Sequence, residues 1–201
     1  MTEVKIERKT IERKTAETNI KLDFEPYGSG KSNIQTGCGF LDHMLTLFAY
    51  HGGFNINLNC CGDTHVDYHH TVEDVAICLG SAVSSILKEK AGINRYGSII
   101  LPMDEALILC SIDISGRSHL SFNINIPNEK IGDFDTELVQ EFFLGFIRNC
   151  NITVHLQQLS GTNSHHIVEG VFKAFSKALS EAMNINPRLN GEIPSTKGVL
   201  L

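Results

Sequence analysis

The sequence carries one motif twice: His69-His70-Thr71-Val72-Glu73, and again His165-His166-Ile167-Val168-Glu169. A duplicated motif constrains the fold strongly, because it predicts that two segments of the same chain adopt the same local structure. On an α-helix successive residues diverge by about 100°, so the paired histidines point apart. His70 with Glu73, and His166 with Glu169, then stand nearly one above the other. Each motif can hand a His/Glu pair to one cation and its other histidine to a second, which points to a paired-metal site.

The residues after each motif continue as amphipathic helices. Val75, Leu79, Ala82, Val83 and Ile86 form one apolar stripe, with His69, His70 and Glu73 roughly opposite its centre. Val168, Val171, Phe172, Phe175 and Leu179 form the other, with His166 and Glu169 well off it. These are not core histidines.

Periodicity gives the surrounding order. Residues 18–25 read as a strand, 41–51 as a short helix, 54–59 as a strand, and 71–90 as a long helix ended by Gly92. The plan then repeats. Residues 106–114 and 119–126 read as strands about a Ser-Gly-Arg turn, 137–149 as a helix, 152–157 as a strand, and 167–183 as the closing helix. The division falls near residues 93–97, giving one domain of two similar halves, about 1–93 and 94–184, with a tail at about 185–201. His43 lies 26 positions before His69 and Glu141 lies 24 before His165, so these two are the natural further ligands. An α+β fold of two β-sheets with their helices packed between them would bury both stripes.

Composition excludes several function classes. Hydrophobic residues make up 42% of the chain, enough for a substantial core. The net charge of −6 and the scattered Lys and Arg argue against a nucleic-acid partner. No apolar run is long enough to cross a bilayer and no signal peptide is visible, so no membrane role is expected and the cytoplasm is the expected location. The six cysteines show no CxxC spacing and read as reduced, mostly buried thiols. At the N-terminus Ile6-Glu7-Arg8-Lys9-Thr10 is repeated as Ile11-Glu12-Arg13-Lys14-Thr15. An odd-length duplication inverts the facing of a strand, so the first copy reads as an extension without a function of its own.

The candidate ligands are imidazoles and carboxylates without thiolate, a set that suits manganese, iron, nickel or zinc. The tail segment Pro194-Ser195-Thr196-Lys197-Gly198 combines hydroxyls, a cation and a glycine, the ingredients of an anion cradle. Arg95 and Arg117 sit on loops where a guanidinium can reach an anion, or simply face solvent. His65 and Asp67 are placed to orient ligand histidines, and Asp104 and Glu105 to shape a pocket.

Gly39-Phe40-Leu41-Asp42-His43-Met44-Leu45, Gly62-Asp63-Thr64-His65-Val66-Asp67, the first His-His motif, Asn163-Ser164-His165-His166, Phe172-Lys173-Ala174-Phe175 and Ser195-Thr196-Lys197-Gly198 together resemble the imidazoleglycerol-phosphate dehydratases of histidine biosynthesis. The resemblance runs from about Arg13 to the C-terminus. It implies a lyase that dehydrates D-erythro-imidazole glycerol phosphate to imidazole acetol phosphate with two Mn2+ ions per active site, the sites lying between subunits of a 24-subunit assembly. It implies halves like the second domain of ribosomal protein S5. One ion would take His43, His70, Glu73 and His165, and the other His69, Glu141, His166 and Glu169. Many members have His where this chain has Glu141, and some have Gln where it has Leu47.

The reaction explains why such a site is needed. No carbonyl adjoins the carbon that loses its proton, so the imidazole ring is the available electron sink. Cations at both ring nitrogens favour the imidazolate, which expels the adjacent hydroxyl as a diazafulvene forms. Glu17, matching the family's acid, is the candidate for acid/base work, with Glu73 and Glu169 counted among the catalytic carboxylates. Arg95, Arg117, Lys173, Ser195, Thr196 and Lys197 would join Glu17 in binding substrate. Two other classes compete. A metal-dependent assembly protein leaves those cations without a purpose, and a two-metal phosphoester hydrolase would call for an Asp-rich bridging set.

Overall fold

The computed structural model describes residues 8–200. Its elements run β1 (Lys9–Lys14), β2 (Thr18–Glu25), β3 (Ser32–Gln35), α1 (Gly39–Gly52), β4 (Asn55–Gly62) and α2 (His69–Ile86). They continue as β5 (Tyr96–Met103), β6 (Ala106–Asp113), β7 (His119–Asn123), β8 (Lys130–Ile131), β9 (Phe134–Asp135), α3 (Leu138–Cys150), β10 (Thr153–Ser160) and α4 (Ser164–Met183). The first sheet has the order β1-β2-β4-β3 and the second β5-β6-β10-β7, so the duplication read in the motif extends to the topology. In each sheet one parallel pair, β3 with β4 and β7 with β10, is joined through a helix, and the remaining pairs are antiparallel.

Alternation makes each central strand one-sided. Along β2, Thr18, Ile20, Leu22 and Phe24 are buried, and along β6, Ala106, Ile108, Cys110 and Ile112. The helices fill the space between these inner faces, with α2 against α3 and α1 against α4. The aromatic core lies where they cross: Phe48, Phe146 and Phe175 meet, with Phe143 and Phe172 beside them. Gly80 permits the α2–α3 approach, because a Cβ there would lie 2.3 Å from the Phe146 carbonyl oxygen. Both stripes read from the sequence are buried except Ile86, which is partly so.

Helices α1, α2 and α4 start two or three residues earlier than periodicity indicates. Both His-His pairs fall in a first turn, and Asn163 caps α4 by accepting the His165 and His166 backbone N–H groups. Strands β1, β3 and β5 are absent from the sequence reading, and all three lie at sheet edges, where one unpaired side leaves room for Lys, Glu, Ser and Pro. The second copy of the N-terminal repeat is most of β1. The reading of the first copy as a mere extension meets a partial correction, since Lys9 and Thr10 open β1, the Thr10 hydroxyl donates to Asp23 at 2.6 Å, and Arg8 pairs with Asp23. Ile6 and Glu7 of that copy lie outside the described residues. Among the described residues no helix is long and apolar enough to cross a membrane.

Candidate metal centre

Helices α1 and α4 bring three candidate ligands together. His43 and His165 Nε2 lie 3.7 and 3.3 Å from Glu169 Oε2, and the three ligand atoms lie within 4.8 Å of one another. Ligands around one cation at about 2.1 Å are themselves roughly 3–4 Å apart, so this donor set fits a divalent ion. It is the one such group among the described residues. Glu169 is more deeply placed than its position off the stripe implies, only 8% exposed. Burial alone would raise its carboxyl, but Lys173 Nζ at 2.5 Å, with His165 and His43, outweighs that and holds it below the ordinary value.

Within one chain this geometry places Glu169 beside His43 and His165, whereas the resemblance groups it with His166. The cause is helical pitch: residues four apart differ by about 40° around the axis, those three apart by about 60°. His165 therefore meets Glu169, while His166 turns away. Lys173, expected on the substrate, is spent within the chain as the counter-ion of Glu169.

The second histidine of each motif is held in the same way. His70 Nδ1 lies 3.0 Å from Asp63 and its Nε2 3.7 Å from Glu17; His166 Nδ1 lies 2.7 Å from Glu105 and its Nε2 3.7 Å from Asp104. The hydrogen bond to the carboxylate is the main cause that raises both histidines. Glu105 is drawn down to about 2, first by His166 and then by the Asn163 and Thr162 backbone N–H groups. Such partners at Nδ1 fix the ring and leave Nε2 as the ligand atom, as metal-bound imidazoles require. Asp63 thus takes the orienting role expected of His65 and Asp67; Asp67 instead accepts the His69 backbone N–H at 2.7 Å.

Glu17 stands half-exposed in the β1–β2 turn, and a buried network fixes that turn. The Asp74 carboxylate accepts from Arg13 Nε at 2.9 Å and from the Thr18 hydroxyl at 2.5 Å. Sequence reasoning passed over Asp74, which follows directly on the motif. Glu73 lies against Gly145 of α3, one turn beyond Glu141.

The candidate anion-binding residues gather elsewhere. Arg95 donates to both Asp113 carboxylate oxygens, at 2.7 and 3.2 Å, and to the Pro194 carbonyl at 2.8 Å. Its guanidinium is thereby the anchor of the tail. Ser195, Thr196 and Lys197 follow in a turn in which the Ser195 hydroxyl accepts the Lys197 backbone N–H. Exposed Arg117 occupies the loop at the same end of the second sheet, where Ile114 N–H donates to the Arg95 carbonyl. Arg95 N–H also bonds the Ala182 carbonyl near the far end of α4. At about 1.5 Å per residue, that point lies roughly 20 Å along the helix from Glu169.

The family model described as imidazoleglycerol-phosphate dehydratase matches residues 36–179. The dehydratase of Desulforamulus reducens is 53% identical over 190 residues, spanning 94% of this chain and 96% of that protein. That of Listeria welshimeri is 54% identical over 191 residues, spanning 95% and 98%. The crystal structure of the Staphylococcus aureus dehydratase superposes with a TM-score of 0.82 at 40% identity, covering 90% of this chain and 100% of that one. The Pyrococcus furiosus structure, in complex with a compound, gives 0.82 at 39% identity, covering 94% and 100%.

Proposed function

The chain belongs to the imidazoleglycerol-phosphate dehydratase family, lyases of histidine biosynthesis that act through a metal-associated site, and from that we propose that it dehydrates D-erythro-imidazole glycerol phosphate using two Mn2+ ions held between copies of the chain. The observation that carries the reading is the His43, His165 and Glu169 cluster, with a buried carboxylate already neutralised on its far side by Lys173. His69, Glu73 and Glu141 form the second set. His70 and His166, fixed by Asp63 and Glu105, complete the two sets from neighbouring copies.

Separation along α4 supports sharing between copies. The cation cluster and the Arg95-anchored tail stand too far apart for one small phosphate ester to touch both in one chain. On this reading a copy supplies metal ligands to one site and phosphate contacts to another, and the 24-subunit assembly of the family is the closed form of that arrangement. Residues 185–201 are the phosphate-binding tail of a single domain made of two similar halves. Arg117, Ser195, Thr196 and Lys197 face the phosphate, and Arg95 fixes the tail that presents them. The cytoplasm is the proposed location.

The cations would supply electron withdrawal at the imidazole nitrogens of the substrate. The chain's own part is to orient the ring through the ligand histidines and to move a proton at the neighbouring carbon, for which Glu17 beside His70 is placed. The test is turnover. Purified protein stripped with chelator and restored with Mn2+ is expected to form imidazole acetol phosphate without releasing inorganic phosphate. Phosphate release, or assembly on metal without dehydration, would overturn the reading.

A further inference from the structure

The β8–β9 hairpin is the clearest departure from the duplication. In the first half, residues 36–38 alone separate β3 from α1; in the second, residues 124–137 separate β7 from α3 and contain the hairpin. Gly132, at φ 65°, and Asp133 form its two-residue turn, since Ile131 pairs with Phe134. An insertion in one half of a duplicated fold serves something that the other half does not need.

Its contacts fall on both candidate metal centres. The Tyr68 hydroxyl donates to Asp133 at 2.6 Å, and Tyr68 directly precedes His69 at the start of α2. Phe134, 3% exposed, has its ring centroid 5.0 Å from that of Phe40, and Phe40 meets the edge of His165 at 5.4 Å. Backbone contacts extend the hold: the Ser164 hydroxyl, one residue before His165, accepts the Asn128 N–H at 3.0 Å, and the Thr136 hydroxyl donates to the Asn128 carbonyl. Lys130 and Gly132 also wall a cleft of about 510 Å3 shared with Asn163 and His165.

We infer that this hairpin is a clamp joining the two metal centres, with Tyr68, Asp133, Phe134 and Phe40 as positioning residues. Its turn pins the first motif through Asp133 and Tyr68, and its strand braces the second through Phe134 and Phe40. None of the four carries a ligand atom in the proposed sets. Release of the hairpin at Asp133 frees a buried aromatic that supports a ligand some distance away, so a local lesion loosens both ions. The inference rests on the two-ion reading above.

The experiment follows manganese release from the assembled holoenzyme by the electron paramagnetic resonance of free Mn2+ during chelator titration. Tyr68→Phe keeps the ring and loses the hydroxyl; Asp133→Asn keeps the shape and loses the charge; Phe134→Leu loosens the brace from the other end. Each variant is expected to release both ions at about three- to ten-fold lower chelator, the range for loss of one hydrogen bond or well-packed ring. Tyr68→Phe and Asp133→Asn combined should add little to either alone. Loss of one ion only, or unchanged release, would overturn the clamp. So would a fall in the melting temperature of the metal-free chain large enough to account for the release, since the contacts would then support the fold alone. A wild-type protein that binds fewer than two ions per chain would instead overturn the two-ion reading, which separates the two failures.

Discussion

His165 Nε2 stands 3.3 Å from Glu169 Oε2, one helical turn further along α4, and the same oxygen faces His43 on α1. A buried carboxylate between two imidazoles and an ammonium is costly without its partners, and each partner is therefore accountable for a separate effect.

Glu169→Gln removes the charge that Lys173 neutralises and leaves a mostly buried ammonium without a counter-ion. The metal-free chain should lose about 1–3 kcal/mol of stability in urea unfolding. The holoenzyme should lose manganese from this centre. Adding Lys173→Met should restore stability without restoring metal, because it removes the unpaired charge and supplies no ligand. Recovery of metal in the double variant would contradict the assignment.

The Glu105–His166 pair sets a pH window. His166 is raised above its ordinary value of 6.5, so its contribution is complete below that pH and is lost as pH rises through the raised value. Glu105 is lowered from 4.5 to about 2, so its contribution is present above 4.5 and is lost as pH falls towards 2. The pair therefore stabilises the metal-free chain most between those two ordinary values. In Glu105→Gln the imidazole titration of His166, followed by NMR, should move down towards 6.5. An upward move would show that Glu105 is not its partner.

Much of this was legible in the residues. The doubled motif predicted the duplicated topology, because identical ligand spacing needs the same preceding helix and strand in each half. The motif did not reveal that His165 meets Glu169 within one chain, since spacing alone treats the third and fourth residues along a helix as near equals. Edge strands β1, β3 and β5 escaped because one-sided pairing relaxes alternation. Asp74 escaped for another reason, and Glu105 was read only as shaping a pocket: each acts on a residue distant in sequence, and only the packed fold brings them together.

Glu17→Gln keeps the turn, which is fixed by Arg13 and Thr18 on Asp74 rather than by the Glu17 carboxylate. Turnover should fall by at least about 100-fold, the scale of lost general acid/base catalysis, with metal content and particle size unchanged. Near-normal turnover in steady-state kinetics would remove Glu17 from proton transfer.

Gly80→Ala places a methyl 2.3 Å from the Phe146 carbonyl oxygen, a backbone atom that cannot turn aside. Forced separation of α2 from α3 should cost about 1–3 kcal/mol in urea unfolding. It should also weaken the centre formed by His69, Glu73 and Glu141 before that formed by His43, His165 and Glu169. Unaltered stability would mean that the two helices do not approach closely at Gly80.

The most direct measurement is anomalous scattering at the manganese edge from crystals of the assembled protein grown with Mn2+. A peak is predicted within bonding distance of His43 Nε2, His165 Nε2 and Glu169, with a second beside His69, Glu73 and Glu141. A metal-loaded, catalytically active crystal with no peak among His43, His165 and Glu169 would contradict the central claim.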